Sequence, residues 1–376
     1  MNPPRKGTPD FLFLFLTFVL VCFGLVMIFS SSSIITTIRF NDPWMFTKKQ
    51  LIFALIGIVA MFICMNIPLD KLKKLVLPVF IVILGMLAIM PLIADNVNGA
   101  RSWIEIAGFS IQPTEFAKVG IILYLAMLIS NKDEQFRTFH KGLKPALIVV
   151  GLVSFLIMLQ PDLGSTLVLI LCAATVIFAG GAKMKHLFAV GTVLMVVASF
   201  ATIYMFMKAD TGSNYRVDRF LAFMDPEKYE NDASYQITKS LYAFGHGGIT
   251  GTGYGQGIQK LHYLPEAHND FIFSTIGEEF GLIGSLLLIA VYIVLIWRGL
   301  ILSVRCKDKF GMLAGVGIIG MIGFQTLINI GGVTSSIPLT GVTLPLISAG
   351  GSSLIVTLAG LGIVLGVSRS HNQIDT

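Results

Sequence analysis

The feature that most constrains this chain is a succession of apolar runs, each about as long as a bilayer is thick. Roughly twenty apolar residues cross a hydrocarbon core as an α-helix. By that rule ten spans are read, near 11–31, 51–67, 76–94, 113–130, 144–160, 164–181, 187–207, 270–297, 311–332 and 348–367. Only 13% of the 376 residues are charged and 55% are hydrophobic, with a mean hydropathy of +0.80. A soluble surface needs about a quarter of its residues charged. Disordered, collagen-like and disulfide-framework classes fall to the same figures. The reading is an all-α polytopic membrane protein, a single domain over 1–376.

The run Phe11–Ser31 follows Arg5 and Lys6, as in a signal peptide, but has full-span length and no small-residue cleavage site. The net charge of +6 does not call for nucleic acid, because cytoplasmic loops hold basic residues. Loops on the side of the N-terminus carry sixteen Lys and Arg, and the short opposite loops carry four, Arg39, Lys48, Lys49 and Arg101. Both termini are therefore expected in the cytoplasm. The four cysteines have no paired spacing and read as packing residues. The segment 208–269 is polar and far longer than any other connection, which marks a folded extracytoplasmic loop.

Ionisable residues inside a bilayer cost several kcal/mol unless paired or wet, so each is a candidate. Glu115 and Lys118 are three apart, share a helical face, and serve either a structural pair or a functional one. Asp162, in the turn Gln160-Pro161-Asp162-Leu163-Gly164, either caps the sixth span or faces a site. Asp270 ends the long loop, after Glu266 and His268, at the water boundary. Glu278 and Glu279 lie about 80° and 180° around the helix from it and read as packing residues. Arg101, Trp103, Arg216, Arg219 and Lys239 are expected on the outer side, where cations could hold a pyrophosphate or lipid headgroups. Gly245–Gly257 has seven glycines in thirteen residues but no nucleotide-binding spacing, and reads as flexible or re-entrant backbone. The six histidines show no metal-ligand spacing.

Five ordered motifs carry a family resemblance. They are Gly99-Ala100-Arg101-Ser102-Trp103-Ile104, Gln112-Pro113-Thr114-Glu115-Phe116-Ala117-Lys118, the Asp162 turn, Leu264-Pro265-Glu266-Ala267-His268-Asn269-Asp270-Phe271, and Pro338 through Leu354. Together they resemble the SEDS family of cell-wall polymerases, nearer its FtsW and SpoVE branches than RodA. Asn269 stands where that family usually has Thr, and Ala349 where it has Tyr. The resemblance implies a peptidoglycan glycosyltransferase of the bacterial cytoplasmic membrane that polymerises lipid II and releases undecaprenyl pyrophosphate. It puts the essential acid on Asp270, cavity residues on Glu115, Lys118 and Asp162, and an outer-loop tryptophan on Trp103. It also implies a class B penicillin-binding protein and other divisome or elongasome proteins as partners. A divalent cation, Mg or Mn, fits that chemistry; no nucleotide or organic cofactor is expected. Two rival functions are a lipid II flippase, which would place its charges near the midplane, and a scaffold, which needs no buried charges.

Overall fold

The computed structural model describes residues 7–93, 102–106, 109–189, 191–192, 223–224, 232–261 and 263–371. Its helices are α1 (Phe11–Phe40), α2 (Met45–Asn66), α3 (Leu69–Ile93), α4 (Pro113–Lys132), α5 (Lys144–Met158), α6 (Leu163–Ala179), α7 (Asp232–Gly247), α8 (Ile272–Val304), α9 (Lys309–Val333) and α10 (Gly351–His371). A two-stranded antiparallel hairpin, β1 (Ile104–Ile106) and β2 (Phe109–Ile111), precedes α4. Among the described residues eight helical segments are long and apolar enough to cross a membrane, and α6 is a shorter apolar helix of 17 residues. These cover the expected spans except the seventh, 187–207, most of which lies outside the described residues.

The burial pattern is that of a protein solvated by lipid. Leu286, Leu287 and Ile293 on α8, and Ile81 and Val82 on α3, are all more than half exposed. The interior instead gathers small and polar residues along α9 and α4, which is how helices pack once lipid removes the hydrophobic drive between them. Helix α10 runs beside α2, with Gly57 against Leu358 and Gly362 against Met61.

Caps and ion pairs finish one end of the bundle. Asp10 caps α1 by accepting the Phe13 N–H at 2.9 Å and pairs with Arg298 at the end of α8, Nη2 to Oδ2 2.6 Å. Burial pushes the Asp10 carboxyl up, but Arg298 and the Phe13 N–H outweigh it and leave the group below its ordinary value. Lys309 pairs with Asp133, and Arg369 donates to the Gly7 carbonyl at 2.9 Å. The two described ends of the chain therefore meet at this end.

The unusual element is α8. At Gly281 its backbone turns to φ 66, ψ −165, which breaks the helix. The segment after α7 fills the break. Thr252 N–H donates to the Glu278 carbonyl and Gly253 N–H to the Glu279 carbonyl, each at 3.0 Å. Leu282 N–H donates to the Gly248 carbonyl at 3.0 Å and Ile283 N–H to Ile249 at 3.2 Å. In an unbroken helix 282 and 283 would donate to 278 and 279. The glycine-rich segment thus replaces two helical hydrogen bonds with four of its own. A Cβ on Gly281 would meet the Gly251 nitrogen and, at 2.6 Å, the Ile249 carbonyl oxygen.

Replacing Gly281 by Ala should therefore lower stability by about 1–3 kcal/mol, since both backbone angle and space oppose it. Gly245→Ala, on α7 with open space around it, should be neutral or gain up to about 1 kcal/mol. Detergent melting of the two variants checks this, and a Gly281→Ala protein melting with the wild type would refute the account of the break.

Candidate functional site

The opposite end of the bundle gathers four segments: the hairpin with the start of α4, the turn 159–163, the described residues 248–261 and 263–271, and the loop 334–350 between α9 and α10. The loop 334–350 is the hub. Ala349 N–H donates to the His268 carbonyl at 2.9 Å, and Ser348 Oγ to the Asn269 carbonyl at 2.7 Å. Asn329 of α9 uses its one amide nitrogen twice, to the Asp270 and Val342 carbonyls, both at 2.7 Å. Three successive carbonyls before α8 are thus fixed from outside the segment. Gln50 on α2 holds the hub in turn, donating to the Ser348 carbonyl and accepting from Gly350 N–H. Asp270 itself is half-buried at the head of α8.

His268 stacks on Phe46, ring centroids 4.8 Å apart. Burial holds its imidazole below the ordinary value, with Arg39 acting in the same direction and the carboxylate of Glu266 against them. Glu266 takes a positive φ of 56 and accepts from the Asn269 side chain.

Asp162 reaches the same hub from α6. Its Oδ1 accepts the Ser165 N–H at 2.9 Å, so it does cap α6. Its Oδ2 accepts from the Gln112 side chain at 3.3 Å, a bond no cap requires. Two residues on, Gly164 lets α6 approach the loop closely: a Cβ there would lie 2.6 Å from the Thr340 carbonyl oxygen. Gln112 N–H donates to Ser352 Oγ, and that hydroxyl donates to the Ser110 carbonyl. Asp162 and Asp270 thus both sit against residues 340–342, the first through Gly164 and the second through Asn329.

Just inside, on the first turns of α4, Lys118 Nζ lies 2.7 Å from Glu115 Oε1. They are 1% and 5% exposed, so the pair is out of solvent. Thr114, Gln325 and Asn329 each bury polar atoms with no hydrogen-bond partner among the described residues. Buried polar atoms of that kind call for water or a polar ligand. The arrangement provides two carboxylates, Asp162 and Asp270, on segments braced by the same loop, and buried polar atoms on α4 and α9.

The other expected site residues separate into two groups. Trp103 is half-buried beside the hairpin, where Ser102 Oγ donates to the Gln160 carbonyl at 3.2 Å. Lys239, on α7, places its ammonium 5.3, 5.4 and 5.5 Å from the ring centres of Tyr235, Tyr242 and Tyr263, a cation–π cluster. Arg101, Arg216 and Arg219 lie outside the described residues.

Glu278 and Glu279 do more than pack helices. The Glu278 carboxylate accepts from His246 Nδ1 at 2.9 Å, from Ile258 N–H at 2.8 Å and from Gln259 N–H at 3.2 Å. Glu279 faces away from it, as the helical angles required, and pairs with Lys260 and Ser30. The sequence reading overlooked Gln112, Lys260, Asn329 and Ser348. Asn329 had a signal, for Gln325 and Asn329 place two amides one turn apart on one face of an otherwise apolar span. Lys260 had none, since its partner is distant along the chain.

The chain matches, over residues 10–373, the family model for FtsW, RodA and SpoVE, described as cell cycle protein. It is 39% identical over 367 residues to Stage V sporulation protein E of Bacillus subtilis, covering 97% of this chain and 98% of that one. It is 38% identical over 362 residues to the probable peptidoglycan glycosyltransferase FtsW of Geobacter metallireducens, covering 96% and 94%. A chain from a peptidoglycan synthase complex that coordinates polymerization and crosslinking superposes with a TM-score of 0.76 at 29% identity, covering 96% and 98%. The rod shape determining protein RodA of Thermus thermophilus superposes with a TM-score of 0.69 at 29% identity, covering 96% and 97%.

Breaking the Glu115–Lys118 pair from one side should cost more than removing it whole. Lys118→Met alone leaves a buried carboxylate and should lose about 3–5 kcal/mol, while Glu115→Leu with Lys118→Met should lose less. Unfolding in mixed micelles gives the comparison, and a double variant as unstable as the single would refute a paired, buried state.

Proposed function

Because this chain belongs to the FtsW/RodA/SpoVE family of cell cycle proteins, we propose that it is a peptidoglycan glycosyltransferase whose chemistry is organised around Asp270. The observation that carries the activity is near full-length identity with relatives of that name. The substrate is lipid II. The 4-hydroxyl oxygen of an acceptor GlcNAc attacks the anomeric carbon of the donor sugar. The bond from that carbon to phosphate oxygen breaks, and its electron pair leaves with undecaprenyl pyrophosphate. One inversion turns the α-linked donor into a β-1,4 product.

Asp270 is the general base that takes the hydroxyl proton. What supports this role is its half-buried position at the head of α8, on backbone held at three consecutive carbonyls. A base must sit within hydrogen-bond reach of its proton, and fixed backbone is how a fold secures that. Glu115, Lys118 and Asp162 line the polar interior that receives the headgroup, with Trp103 beside the hairpin. Arg101, Arg216, Arg219 and Lys239 are the cations proposed to offset charge on the leaving pyrophosphate. A divalent cation, Mg or Mn, would arrive held mainly by phosphate oxygens. The described residues contain no group of three or more His, Cys, Asp or Glu able to cage it.

The protein is a multi-pass membrane protein, and the end where Gly7 and Arg369 meet is proposed to face the cytoplasm. That end carries Arg298, Lys309 and Arg369, as the positive-inside rule asks. The Asp270 end then faces outward, where a class B penicillin-binding protein would cross-link the strands.

Purified protein given lipid II and a divalent cation should make long glycan strands, and Asp270→Ala none, while melting like the wild type. Long strands from Asp270→Ala would end the base assignment. If the wild type alone is silent, adding the partner penicillin-binding protein decides between a missing partner and a non-enzyme.

A further inference from the structure

We propose that Lys260 and Glu279 are positioning residues for this reaction, an inference that rests on the reading of Asp270 as its base. Lys260 Nζ lies 2.5 Å from Glu279 Oε1 and 2.8 Å from Ser30 Oγ, and that hydroxyl donates to Glu279 Oε1 at 2.6 Å. Lys260 is 3% exposed and Glu279 1%. Three segments meet at this point: α1, the segment between α7 and α8, and the outer piece of α8.

The geometry closes a ring. The chain leaves Lys260, has no helix or strand among the described residues 261 and 263–271, enters α8 at Ile272, and returns to the same ion pair at Glu279. Asp270 lies within that ring. Its far side is fixed by Asn329, Ser348 and Ala349, and its near side by this pair, with Glu278 holding Ile258 and Gln259 just before it. The four exchanged backbone bonds at Gly281 fix the outer piece of α8 against the same segment. Opening the pair removes the charged link between the two ends of the ring and leaves only the Glu278 contacts and the exchanged backbone bonds to hold them, so the carboxylate shifts with them.

Stability alone gives weak reason for such a pair. Two buried charges lose so much hydration that well-packed apolar residues of similar size are often as stable or more so. What the pair supplies and apolar packing lacks is a single defined geometry between two points of the chain. A misplacement of about 1 Å can cost on the order of a hundredfold in rate. Neither side chain touches the reacting atoms, so the effect passes through Asp270.

The test compares Lys260→Met, Lys260→Arg and Ser30→Ala with wild type in full-length purified protein, with Asp270→Ala as reference. Each is assayed for glycan synthesis from lipid II, separating kcat from KM, and for melting in detergent. Lys260→Met should lose at least about tenfold in kcat with KM within about twofold. Lys260→Arg should recover most of that loss. Ser30→Ala, which removes two hydrogen bonds and no charge, should stay folded and fall in between. Wild-type kcat in folded Lys260→Met would overturn the inference. So would a Lys260→Met that fails to fold together with a Ser30→Ala of normal kcat, for the pair would then be structural only. Full activity in Asp270→Ala would instead strike the base assignment, which keeps the two failures apart.

Discussion

A broken helix must find new partners for the amides and carbonyls it exposes, because a buried backbone polar group left unpaired costs as much as a lost hydrogen bond. The arrangement at Gly281 follows from that requirement. Glu278 and Glu279 lose their helical donors at 282 and 283, and the segment 248–253 supplies donors and acceptors in their place. Only backbone can do this at such close range, so the inserted segment is rich in glycine. Three of its glycines, Gly248, Gly251 and Gly253, take positive φ angles as they turn through the break. The break and the insertion are therefore one feature: neither could be satisfied without the other.

That feature lies eleven residues from Asp270, the proposed base. A straight α8 would carry its first turns rigidly with its lipid-facing length. The break separates the piece bearing Asp270 from the rest and lets it answer to its own neighbours. Those neighbours are the hub loop 334–350 on one side and the glutamate-held segment on the other. The hub also receives α6 through Gly164, while the start of α4 is held by Ser352 at the head of α10 and by Asp162, so Asp162 and the Glu115–Lys118 pair stand close to its frame. One loop between two helices thus braces the Asp270 segment on one side and α6, with Asp162 at its head, on the other.

Much of this could be read from the residues. The apolar runs gave the helices, since a twenty-residue run has few alternatives in lipid, and the ordered motifs gave the family. Asp162 and Asp270 were visible as acids at span ends. What escaped was contact between distant segments. Glu278 and Glu279 sit side by side in an apolar stretch, and their helical angles told only that they face apart. That one holds His246 and two backbone amides, and the other Lys260 and Ser30, depends on a chain reversal with no periodic signal. Gln112 escaped for a similar reason: its role comes from a bond to Asp162, fifty residues away.

The two buried ion pairs differ in a way that sharpens their roles. Glu115 and Lys118 stand three residues apart on one helix, so their geometry is set by α4 itself and their pairing joins nothing else. Such a pair places two charges where a polar substrate can meet them, and could open toward a ligand without disturbing the fold. Lys260 and Glu279 sit 19 residues apart and on different elements, so their pairing is a tether. It joins chain that has no regular structure to the inner end of a half-helix, beside the backbone bonds from Thr252 and Gly253. A charge pair of the first kind suits binding, and one of the second suits holding a catalytic group still. The same cost of burial is met twice in one protein, for two different ends.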